Sequence, residues 1–564
     1  MSFVSGSTLG LKHSQIARLE KFATRRVPAN VVITHELARG LTELAFEINR
    51  QLGLLIDRKG RLQRILVGDA RSIFIPRLTG WRVGAGRLRG LRFVHTHLKD
   101  EPLSPEDLSD LALLRLDLIA TVGVDDAGIP TSIRIAYLLP PNPKGQVWEL
   151  LQPTPPSQLD LDFLAFIKSL EDEIDRTVRS KLSGSQKERA YLVGKISGQD
   201  WKIEESIEEL KELVDSCGLD VVGFCIQHRN SVDPRYVVGK GKLREIVIDA
   251  LQKGADVLVF DTELSATQVK AISEFTEIKV LDRSQIILDI FAQRAKSSEG
   301  KLQVELAQLK YALPKLAEKD DALSRLTGGI GGRGPGETRL EIDKRRIRSR
   351  IGFLERQIEQ VGKARSLRRS LRSRRHVPII SIVGYTNAGK STLLNNLTKS
   401  RVLAENKLFA TLDPTSRRLR FPRETEVIIT DTVGFIQDLP ETLIKAFAAT
   451  LDELAEADLL LHVIDCSNPQ VEKQLEAVEN LLVRLNLSEK AFIRVFNKAD
   501  LVDEETMSNL CARYDGVPVS ALNSKTFGSL IERVEDAILT RLNSRNKVND
   551  IDNETSASLT YENG

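Results

Sequence analysis

The sequence predicts a multidomain α/β protein, and three observations support that interpretation. The chain has 564 residues, a length that usually corresponds to three or four domains. Residues 188–300 alternate strand-like apolar runs with amphipathic helical segments, which favours a parallel sheet with helical crossovers. Residues 377–541 show the same alternation, and their first strand runs into a glycine-rich turn. We therefore expect two α/β domains, with further structure before and between them.

Residues 1–180 form an N-terminal extension, which we expect to be an α+β domain. Apolar runs predict three strands and one helix there, at Leu52–Asp57, Leu62–Asp69, Leu91–His97 and Leu108–Leu118 respectively. The Pro-rich residues 139–158 are typical of an extended loop or linker. A helix is expected to follow from Asp160 to Leu182.

Two histidines separated by one residue lie at the end of the third predicted strand. In a regular strand His95 and His97 point to the same face, which suits a shared ligand. Together with Ser104 and Asp107 they resemble the His-x-His…Ser-x-x-Asp signature of the JAMM (MPN) metalloprotease fold, whose two histidines and aspartate bind zinc. The spacer before Ser104 is one residue short, and no glutamate lies at the spacing from Gly53 where that family's general base would stand. We therefore expect a degenerate domain without metal, and zinc on His95, His97 and Asp107 is the alternative.

Residues 188–300 form the first predicted α/β domain. Its strands are expected at Ala190–Gly194, Val221–Ile226, Asp256–Phe260 and Ile278–Arg283, and its helices at Glu204–Ser216, Lys242–Lys253 and Thr267–Phe275. The run Gly239-Lys240-Gly241-Lys242 leads into a helix, so that it could bind a phosphate of RNA or of a second nucleotide. A tight turn with solvated lysines explains the same pattern.

Residues 301–376 are charged, and we expect them to form a helical hairpin. A helix that begins at Ser284 is predicted to end at Ala312, near Pro314. A second helix is predicted over Arg339–Val361, so that the two form an antiparallel pair. Between them, Gly328–Gly336 is so rich in glycine that we expect a mobile or ligand-ordered loop.

A basic run closes this region. From Lys363 to His376 the chain has no acidic residue. A charge run is usually a solvated face, but this one is unbroken and directly precedes the second α/β domain. We interpret it as a segment that binds RNA phosphates.

Residues 377–541 contain a phosphate-binding loop. It consists of Gly384, Tyr385, Thr386, Asn387, Ala388, Gly389, Lys390 and Ser391. The buried strand Ile379–Val383 precedes it, and a helix is predicted from Thr392. The two glycines allow a tight turn whose N–H groups point at phosphate oxygens. Lys390 is placed to reach the β- and γ-phosphates, and the Ser391 hydroxyl to bind Mg²⁺.

Three later motifs, each after a predicted strand, identify the nucleotide as GTP. They are Asp431-Thr432-Val433-Gly434, Asn497-Lys498-Ala499-Asp500 and Ser520-Ala521-Leu522. Asp431 is expected to hold Mg²⁺ through water, and the Gly434 N–H to contact the γ-phosphate. The Asp500 carboxylate can accept hydrogen bonds from guanine N1–H and the 2-amino group, a donor pair that adenine lacks. A backbone N–H at 520–522 can contact guanine O6.

Composition is that of a soluble globular protein. The formal net charge is only +3, so nucleic-acid affinity must come from local patches. The four cysteines show no CxxC spacing, which fits a reducing compartment. No apolar run approaches the ~18–20 residues of a membrane helix, and no signal peptide begins the chain. We expect a cytoplasmic protein without stable membrane insertion and with a disordered polar tail at 542–564.

The motifs together resemble the HflX family, ribosome-associated GTPases of the Obg–HflX group. The resemblance covers about residues 190–541 and rests on Gly329–Thr338, Gly384–Ser391, Phe409–Thr415 and Asp431–Ile436. It implies a P-loop GTPase domain with a parallel sheet, preceded by the HflX N-terminal α/β domain and the helical hairpin. It also implies a monomer that hydrolyses GTP with Mg²⁺. The partners that it implies are the large (50S) ribosomal subunit and rRNA, for ribosome splitting, rescue or subunit biogenesis.

The resemblance also assigns site residues. It places Phe409, Ala410, Thr411, Leu412 and Asp413 against the nucleotide, with Thr411 as a Mg²⁺ ligand beside Ser391. It further suggests that residues 188–300 bind ATP or rRNA.

Phe435 stands where many GTPases carry a water-positioning glutamine. A phenyl ring cannot hydrogen-bond water, so the sequence does not name a catalytic residue. We expect slow intrinsic hydrolysis and a partner, the ribosome, that supplies or orders the missing group.

The sequence leaves two other functions open. A metal-dependent peptidase with a regulatory GTPase would rest on His95, His97 and Asp107, and zinc analysis would distinguish it. An RNA-remodelling ATPase would rest on residues 188–300, and activity with GTP alone would exclude it.

Overall fold

The computed structural model describes most of the chain and divides it into two compact units. The described residues are 3–76, 78, 81, 87–142, 144–182, 187–196, 203–228, 233–317, 339–373, 377–398, 415–432, 434–435 and 454–541. The first unit comprises Met1–Ile203, Leu219–Val259 and Ala271–Val280. The second comprises Glu204–Gly218, Phe260–Lys270 and Leu281–Gly564.

The N-terminal part of the first unit is built on a mixed seven-stranded sheet. Its strands are β1 (Val4–Gly6), β2 (Leu52–Asp57), β3 (Leu62–Val67), β4 (Leu91–His97), β5 (Leu118–Val124), β6 (Pro130–Leu138) and β7 (Trp148–Leu150), and their order in the sheet is β1-β3-β2-β4-β5-β6-β7. β1 pairs with β3, and β4 with β5, in parallel. The other neighbours are antiparallel.

Four helices accompany this sheet. They are α1 (His13–Ala23), α2 (His35–Ile48), α3 (Pro105–Leu114) and α4 (Phe163–Leu182). The central strands β2, β4 and β5 are buried along their whole length, which requires cover on both faces of the sheet. Leu19 of α1, Leu41 of α2 and Phe163 of α4 belong to the same apolar core as these strands.

Two expectations for the extension were wrong in detail. The predicted helix Leu108–Leu118 begins at Pro105, because Ser104 caps it, and ends at Leu114, because Arg115 turns left-handed with φ 50°. The apolar residues that follow belong to β5 rather than to a helix. The predicted linker 139–158 contains β7, which pairs with β6, and a 3₁₀ turn at Pro156–Gln158.

A second sheet has four strands in the order β11-β10-β8-β9. They are β8 (Arg189–Ile196), β9 (Asp220–His228), β10 (Val257–Phe260) and β11 (Lys279–Asp282), and the helices of this segment are α5 (Ile203–Ser216), α6 (Lys240–Gln252) and α7 (Ala266–Phe275). β8 and β9 are parallel, as the strand–helix alternation predicted. The division between the two units passes through this segment, so the boundaries of a 188–300 domain stay a prediction.

The described part of the charged helical region contains one more helix than expected. The single helix predicted from Ser284 to Ala312 is two helices, α8 (Arg283–Arg294) and α9 (Ser298–Ala317). The chain leaves helical geometry at Ala295, with ψ 111°, and the Ser297 hydroxyl accepts the Gly300 N–H at 2.9 Å. Pro314 lies inside α9 rather than at its end.

The partner of α9 is longer than predicted. Helix α10 extends over Arg339–Ser373. Two ion pairs join α9 to α10, Glu305 with Arg350 at 2.7 Å and Lys310 with Glu355 at 2.8 Å. The Gly328–Gly336 loop lies outside the described residues.

The C-terminal part of the second unit has a six-stranded sheet in the order β13-β14-β12-β15-β16-β17. Its strands are β12 (Ile379–Gly384), β13 (Thr415–Arg420), β14 (Glu426–Asp431), β15 (Leu459–Asp465), β16 (Phe492–Asn497) and β17 (Gly516–Pro518). The helices are α11 (Lys390–Thr398), α12 (Val471–Arg484), α13 (Glu504–Tyr514) and α14 (528–541). Only the edge strand β13 is antiparallel to its neighbour.

The strand order reverses at β12, because β14 lies on one side of this strand and β15 lies on the other. In open α/β sheets ligands bind at such a switch point, beyond the carboxyl ends of the strands. Helix α11 therefore begins at the place where a ligand is expected. No helix in the described ranges is both long and apolar enough to cross a membrane.

Candidate nucleotide-binding site

The phosphate-binding loop connects β12 to α11, and its geometry depends on two glycines. Gly384 has φ 151°, and a Cβ there would lie 2.1 Å from the Val463 carbonyl oxygen. Gly389 has φ 89°, and a Cβ there would lie 2.2 Å from Asn497 Nδ2. Both a left-handed backbone and a close approach therefore require glycine at each position. The helix begins at Lys390, two residues earlier than predicted.

Lys390 is held at the base of the loop. Its Nζ donates to the carbonyl oxygens of Gly384 at 3.1 Å and Tyr385 at 2.7 Å. Burial lowers the pKa of Lys390 to about 8, although the charge of Asp431 opposes the shift. An ammonium group has three donors, so one remains for a phosphate oxygen.

Ser391 and Asp431, both predicted near the metal, are brought together. The Ser391 hydroxyl donates to Asp431 Oδ2 at 2.6 Å. Asp431 is fully buried at the end of β14. A hydroxyl and a carboxylate beside a phosphate site form the kind of oxygen donor set that Mg²⁺ prefers.

The segment after β14 lies directly against the phosphate-binding loop. The Thr386 N–H donates to the Phe435 carbonyl at 2.7 Å, and the Phe435 N–H donates to the Gly384 carbonyl at 3.1 Å. A Cβ at Gly434 would lie 2.9 Å from Lys390 Nζ, so a larger residue would displace the lysine. The Phe435 side chain is buried and offers no hydrogen-bonding group.

Thr432 anchors the same segment from the other side. Its hydroxyl donates to the Ile382 carbonyl at 2.6 Å. This bond ties the residue after β14 to the neighbouring strand β12. The backbone of Gly434 is thereby kept close to the phosphate-binding loop.

The side chain of Asn497 connects two of the segments that are predicted to bind the nucleotide. Its Nδ2 donates to the Ala388 carbonyl at 2.8 Å, and its Oδ1 accepts the Ala521 N–H at 2.8 Å. One side chain thus joins the phosphate-binding loop to the 520–522 segment. Asn497 is almost fully buried, so these bonds fix the relative positions of the two loops.

The two charged residues that follow Asn497 differ in their environment. Lys498 adopts φ 62° and pairs with Asp465 at 2.5 Å. Asp500 is exposed and has no ion pair or hydrogen bond within the described part of the chain, so its carboxylate can accept from a base. Ser520 donates its N–H to Thr526 Oγ1 at 3.0 Å, which orders the 520–522 segment, where Leu522 is exposed.

Some predicted residues fall outside the described ranges. They are Phe409, Ala410, Thr411, Leu412, Asp413 and Val433. Their roles at the nucleotide stay predictions.

One contact of this site was not predicted from the sequence. The Tyr385 hydroxyl donates to Glu209 Oε1 of α5 at 2.9 Å. Glu209 lies 176 residues earlier in the chain, and no local motif marks it.

The three candidate zinc ligands of the extension are brought together. His95 Nε2 lies 3.2 Å from Asp107 Oδ1, and His97 Nε2 lies 3.4 Å from Asp107 Oδ2. The two imidazole Nε2 atoms are 3.2 Å apart. All three ligand atoms lie within 4.8 Å of one another, and all three side chains are buried. This spacing fits three ligands of one tetrahedral ion.

The surroundings of this cluster orient its ligands. His97 Nδ1 lies 3.3 Å from the Glu101 carbonyl oxygen, and the His95 ring stacks on Phe93 with centroids 4.9 Å apart. A backbone carbonyl on the second ring nitrogen is the usual support of a metal-binding histidine. Burial lowers the pKa of His95, which favours the neutral imidazole that metals require.

Asp107 is held in its ionised form. Burial raises its pKa, but hydrogen bonds with His95 and His97 outweigh burial and hold the pKa far below its usual range. Its Oδ2 also accepts the Ser104 N–H and hydroxyl, both at 2.8 Å. The short spacer before Ser104 therefore does not prevent the ligands from meeting.

The Gly-Lys-Gly-Lys segment lies at the start of α6. Gly239 is its N-cap residue, and the helix begins at Lys240, two residues before the predicted start. Lys242 pairs with Glu245 at 2.8 Å. An anion site here stays a prediction.

Three family models match consecutive parts of the chain. A model of the N-terminal region of GTP-binding GTPases matches residues 204–292, and a model of their middle region matches 294–372. A model described as a 50S ribosome-binding GTPase matches residues 379–498.

Individual proteins of known sequence or structure are similar to this chain. The GTPase HflX of Caldanaerobacter subterraneus subsp. tengcongensis is 47% identical over 349 residues, which is 62% of this chain and 80% of that protein. The GTPase HflX of Escherichia coli is 45% identical over 317 residues, which is 56% of this chain and 74% of that protein. A solved GTP-binding protein from Sulfolobus solfataricus, in complex with GDP, is 25% identical and covers 63% of this chain and 99% of its own, with a TM-score of 0.33.

Proposed function

The chain belongs to the HflX family of GTPases and hydrolyses GTP, and on that premise we propose that the reaction uses Mg²⁺ and serves the large ribosomal subunit. The proposal that the large ribosomal subunit is the partner rests on the match of residues 379–498 to the 50S ribosome-binding GTPase model. We place the role of the protein in splitting or rescue of stalled ribosomes or in subunit biogenesis, as a monomer.

The phosphates are bound by the loop between β12 and α11. Lys390 keeps one donor for the β- and γ-phosphates after it has bonded to two carbonyls. A Cβ at Gly434 would lie 2.9 Å from Lys390 Nζ, so Gly434 stands beside this lysine, and we expect its N–H to contact the same γ-phosphate. These groups stabilise the negative charge that develops during phosphoryl transfer.

The metal would be held by Ser391 and Thr411, with Asp431 orienting a bound water. Ser391 and Asp431 fit this assignment, because their oxygens already lie 2.6 Å apart. The ion would neutralise charge on the β- and γ-phosphates.

The base is read by Asp500 and by a backbone N–H of the 520–522 segment. Asn497 joins Ala521 to the phosphate-binding loop, so that base and phosphates are recognised by one rigid frame. Asp500 accepts from guanine N1–H and the 2-amino group. The protein accordingly selects GTP over ATP.

Hydrolysis requires a partner. Phe435 cannot orient the attacking water, because its side chain has no hydrogen-bonding group, although its backbone bonds to the phosphate-binding loop. An activating partner that supplies such a group adds ~10³–10⁵ in rate in other GTPases. We assign this task to the large ribosomal subunit.

The contact surface on rRNA is basic. Helix α10 carries exposed Arg348 and Arg356, neither of which forms an ion pair with any residue that the structure describes. The basic run that begins at Lys363 starts within the same helix, which extends to Ser373. Arginines in such a segment bind RNA phosphates and release counterions.

The experiment measures the GTP hydrolysis rate against the concentration of large ribosomal subunits at two salt levels. Subunits should stimulate the rate, and the stimulation should fall steeply as salt rises. Replacing Arg368, Arg369, Arg374 and Arg375 by Glu should abolish stimulation and leave the GDP dissociation constant within about twofold, because none belongs to a nucleotide motif.

A matched control reverses four exposed cations of the extension, Lys21, Arg26, Lys59 and Arg61. That variant should keep full stimulation. Equal rates with and without subunits for the unmodified chain would contradict the ribosomal assignment.

A second candidate function rests on His95, His97 and Asp107. The expectation of a metal-free domain rested on the spacing of the motif, whereas the geometry of these residues favours one bound ion. We propose that they bind Zn²⁺ through two imidazole nitrogens and one carboxylate oxygen. We do not propose peptidase activity, since no glutamate that could act as the general base lies at the expected spacing from Gly53.

Metal analysis of the purified full chain tests this second proposal. One zinc per chain is expected, with loss of that zinc in His95→Ala and His97→Ala. His35→Ala, which changes an exposed histidine, is the control and should retain zinc. A chain without zinc after equilibration with the ion would show that the domain is degenerate. Hydrolysis of GTP but not ATP by the same preparation would exclude the RNA-remodelling ATPase.

A further inference from the structure

A network of buried charges meets the phosphate-binding loop at Tyr385. The Tyr385 hydroxyl donates to Glu209 Oε1 at 2.9 Å. The same oxygen lies 3.1 Å from Arg283 Nη2, and Arg283 Nη1 donates to Asp261 Oδ1 at 2.8 Å. Glu209 belongs to α5 and Arg283 to α8, both in the segment that matches the N-terminal family model, and all four residues lie in the second unit.

The network is shielded from water. The side chains of Arg283, Asp261 and Glu209 are 8%, 9% and 14% exposed. Burial lowers the pKa of Arg283, but Glu209 and Asp261 raise it by more, so that the guanidinium stays charged. A buried group of this kind holds a defined geometry, because a displaced charge would lose its partner.

Tyr385 transmits this geometry to the phosphate site. Its carbonyl oxygen accepts the Lys390 Nζ proton at 2.7 Å, while its hydroxyl is held by Glu209. The next residue, Thr386, donates its N–H to the Phe435 carbonyl. A shift of Tyr385 would therefore move the lysine that binds the phosphates and the segment that follows Asp431.

We propose that Glu209 is a positioning residue of the GTP site. It anchors Tyr385 so that the Tyr385 carbonyl orients Lys390, and helices α5 and α8 thereby set the affinity of the nucleotide site. Since coupling between two sites is reciprocal, nucleotide binding stabilises the Glu209–Arg283–Asp261 network in return.

The test measures dissociation constants of GDP and of a non-hydrolysable GTP analogue for the full chain. Glu209→Ala should weaken both by about fivefold or more, because Lys390 contacts a phosphate that the two nucleotides share. Glu209→Gln should remain within about twofold of the unmodified chain, since its amide oxygen still accepts the Tyr385 hydroxyl. Glu208→Ala, a change at the exposed neighbour that pairs with Lys211, is the control and should have no effect.

A double-mutant cycle separates positioning from a structural role. Tyr385→Phe should weaken binding by the same factor as Glu209→Ala, and the double variant should be no weaker than either. Additive effects, or a Glu209→Gln variant as weak as Glu209→Ala, would overturn the proposal. If Glu209→Ala does not fold, Tyr385→Phe decides alone, and an unchanged affinity of that variant overturns the proposal.

Discussion

At the scale of single residues, several side chains of the GTP site each make two hydrogen bonds. Asn497 bonds to Ala388 and to Ala521, and Lys390 bonds to the carbonyls of Gly384 and Tyr385. Such pre-organisation reduces the entropy lost when the nucleotide binds. Substitutions at this scale should therefore change affinity and specificity more than stability.

The first prediction concerns base selection. Asp500→Asn replaces a carboxylate acceptor by an amide, which cannot accept both guanine donors. We expect the affinity for GTP to fall by about 100-fold or more and the affinity for XTP to rise. Competition between the two nucleotides against a fluorescent GDP derivative measures the change. A variant that still prefers GTP would mean that another residue reads the base.

The second prediction concerns pH. Burial lowers the pKa of Lys390 to about 8, so below pH 8 the lysine is already charged, and above it a proton must be taken up on phosphate binding. We expect the dissociation constant of GDP to rise roughly tenfold between pH 7 and pH 9, since one pKa unit corresponds to a tenfold change. Titrations at constant ionic strength measure it. A flat profile would contradict a lowered pKa.

At the scale of elements, Arg58 joins three parts of the extension. It follows β2 and donates to Asp117, which precedes β5, at 2.7 and 2.9 Å. It also donates to Glu171 of α4 at 2.8 and 2.9 Å. Asp117 is fully buried, so its charge depends on this partner.

Arg58→Ala should destabilise the first unit by roughly 3–5 kcal/mol, the usual effect of leaving a buried charge unpaired. Burial already raises the pKa of Asp117, so the loss should shrink at acid pH, where the carboxyl is protonated. Urea unfolding followed by tryptophan fluorescence reports this unit, because Trp81 and Trp148 belong to it.

The matched control for this prediction is Arg18→Ala. Arg18 pairs with Glu47, and the two side chains are 49% and 44% exposed. Exposed pairs of this kind contribute about 1 kcal/mol or less. An equal effect of the two substitutions would show that burial does not decide the contribution of Arg58.

At the scale of the whole molecule, the chain carries two candidate sites in two compact units. The His95–His97–Asp107 cluster belongs to the first unit, and the GTP site belongs to the second. The family models begin at residue 204, so the extension is an addition to the region that they match. We therefore expect that substitutions can eliminate either site without loss of function at the other.

The corresponding prediction combines two measurements on one variant. The double substitution His95→Ala and His97→Ala should remove bound zinc and leave the rate of GTP hydrolysis within about twofold, because neither histidine belongs to a nucleotide motif. The hydrolysis rate is measured with Mg²⁺ in excess, and the zinc content by elemental analysis. A large loss of hydrolysis in a folded variant would show that the extension controls the GTPase.

The sequence by itself determined the nucleotide chemistry. The phosphate-binding loop and the guanine motifs are contiguous segments, each placed directly after an apolar strand, and β12, β14 and β16 occur where those strands were predicted. Local hydrogen-bonding patterns and glycine positions are encoded within a few residues. For this reason the order of the motifs was sufficient to identify a GTPase, whereas the HflX family was named from the resemblance of four segments to that family.

Only the tertiary structure decided which distant groups meet. The Tyr385–Glu209 contact, the bonds of Asn497 to two loops, and the approach of Asp107 to His95 and His97 depend on how separate elements pack. Element boundaries such as the end of α3 and the break before α9 were also not predicted from the sequence. A continuous apolar run does not show where its periodicity changes. Tertiary packing brings together residues that lie far apart in the chain, and the spacing of residues along the chain does not specify the distances between them in the fold.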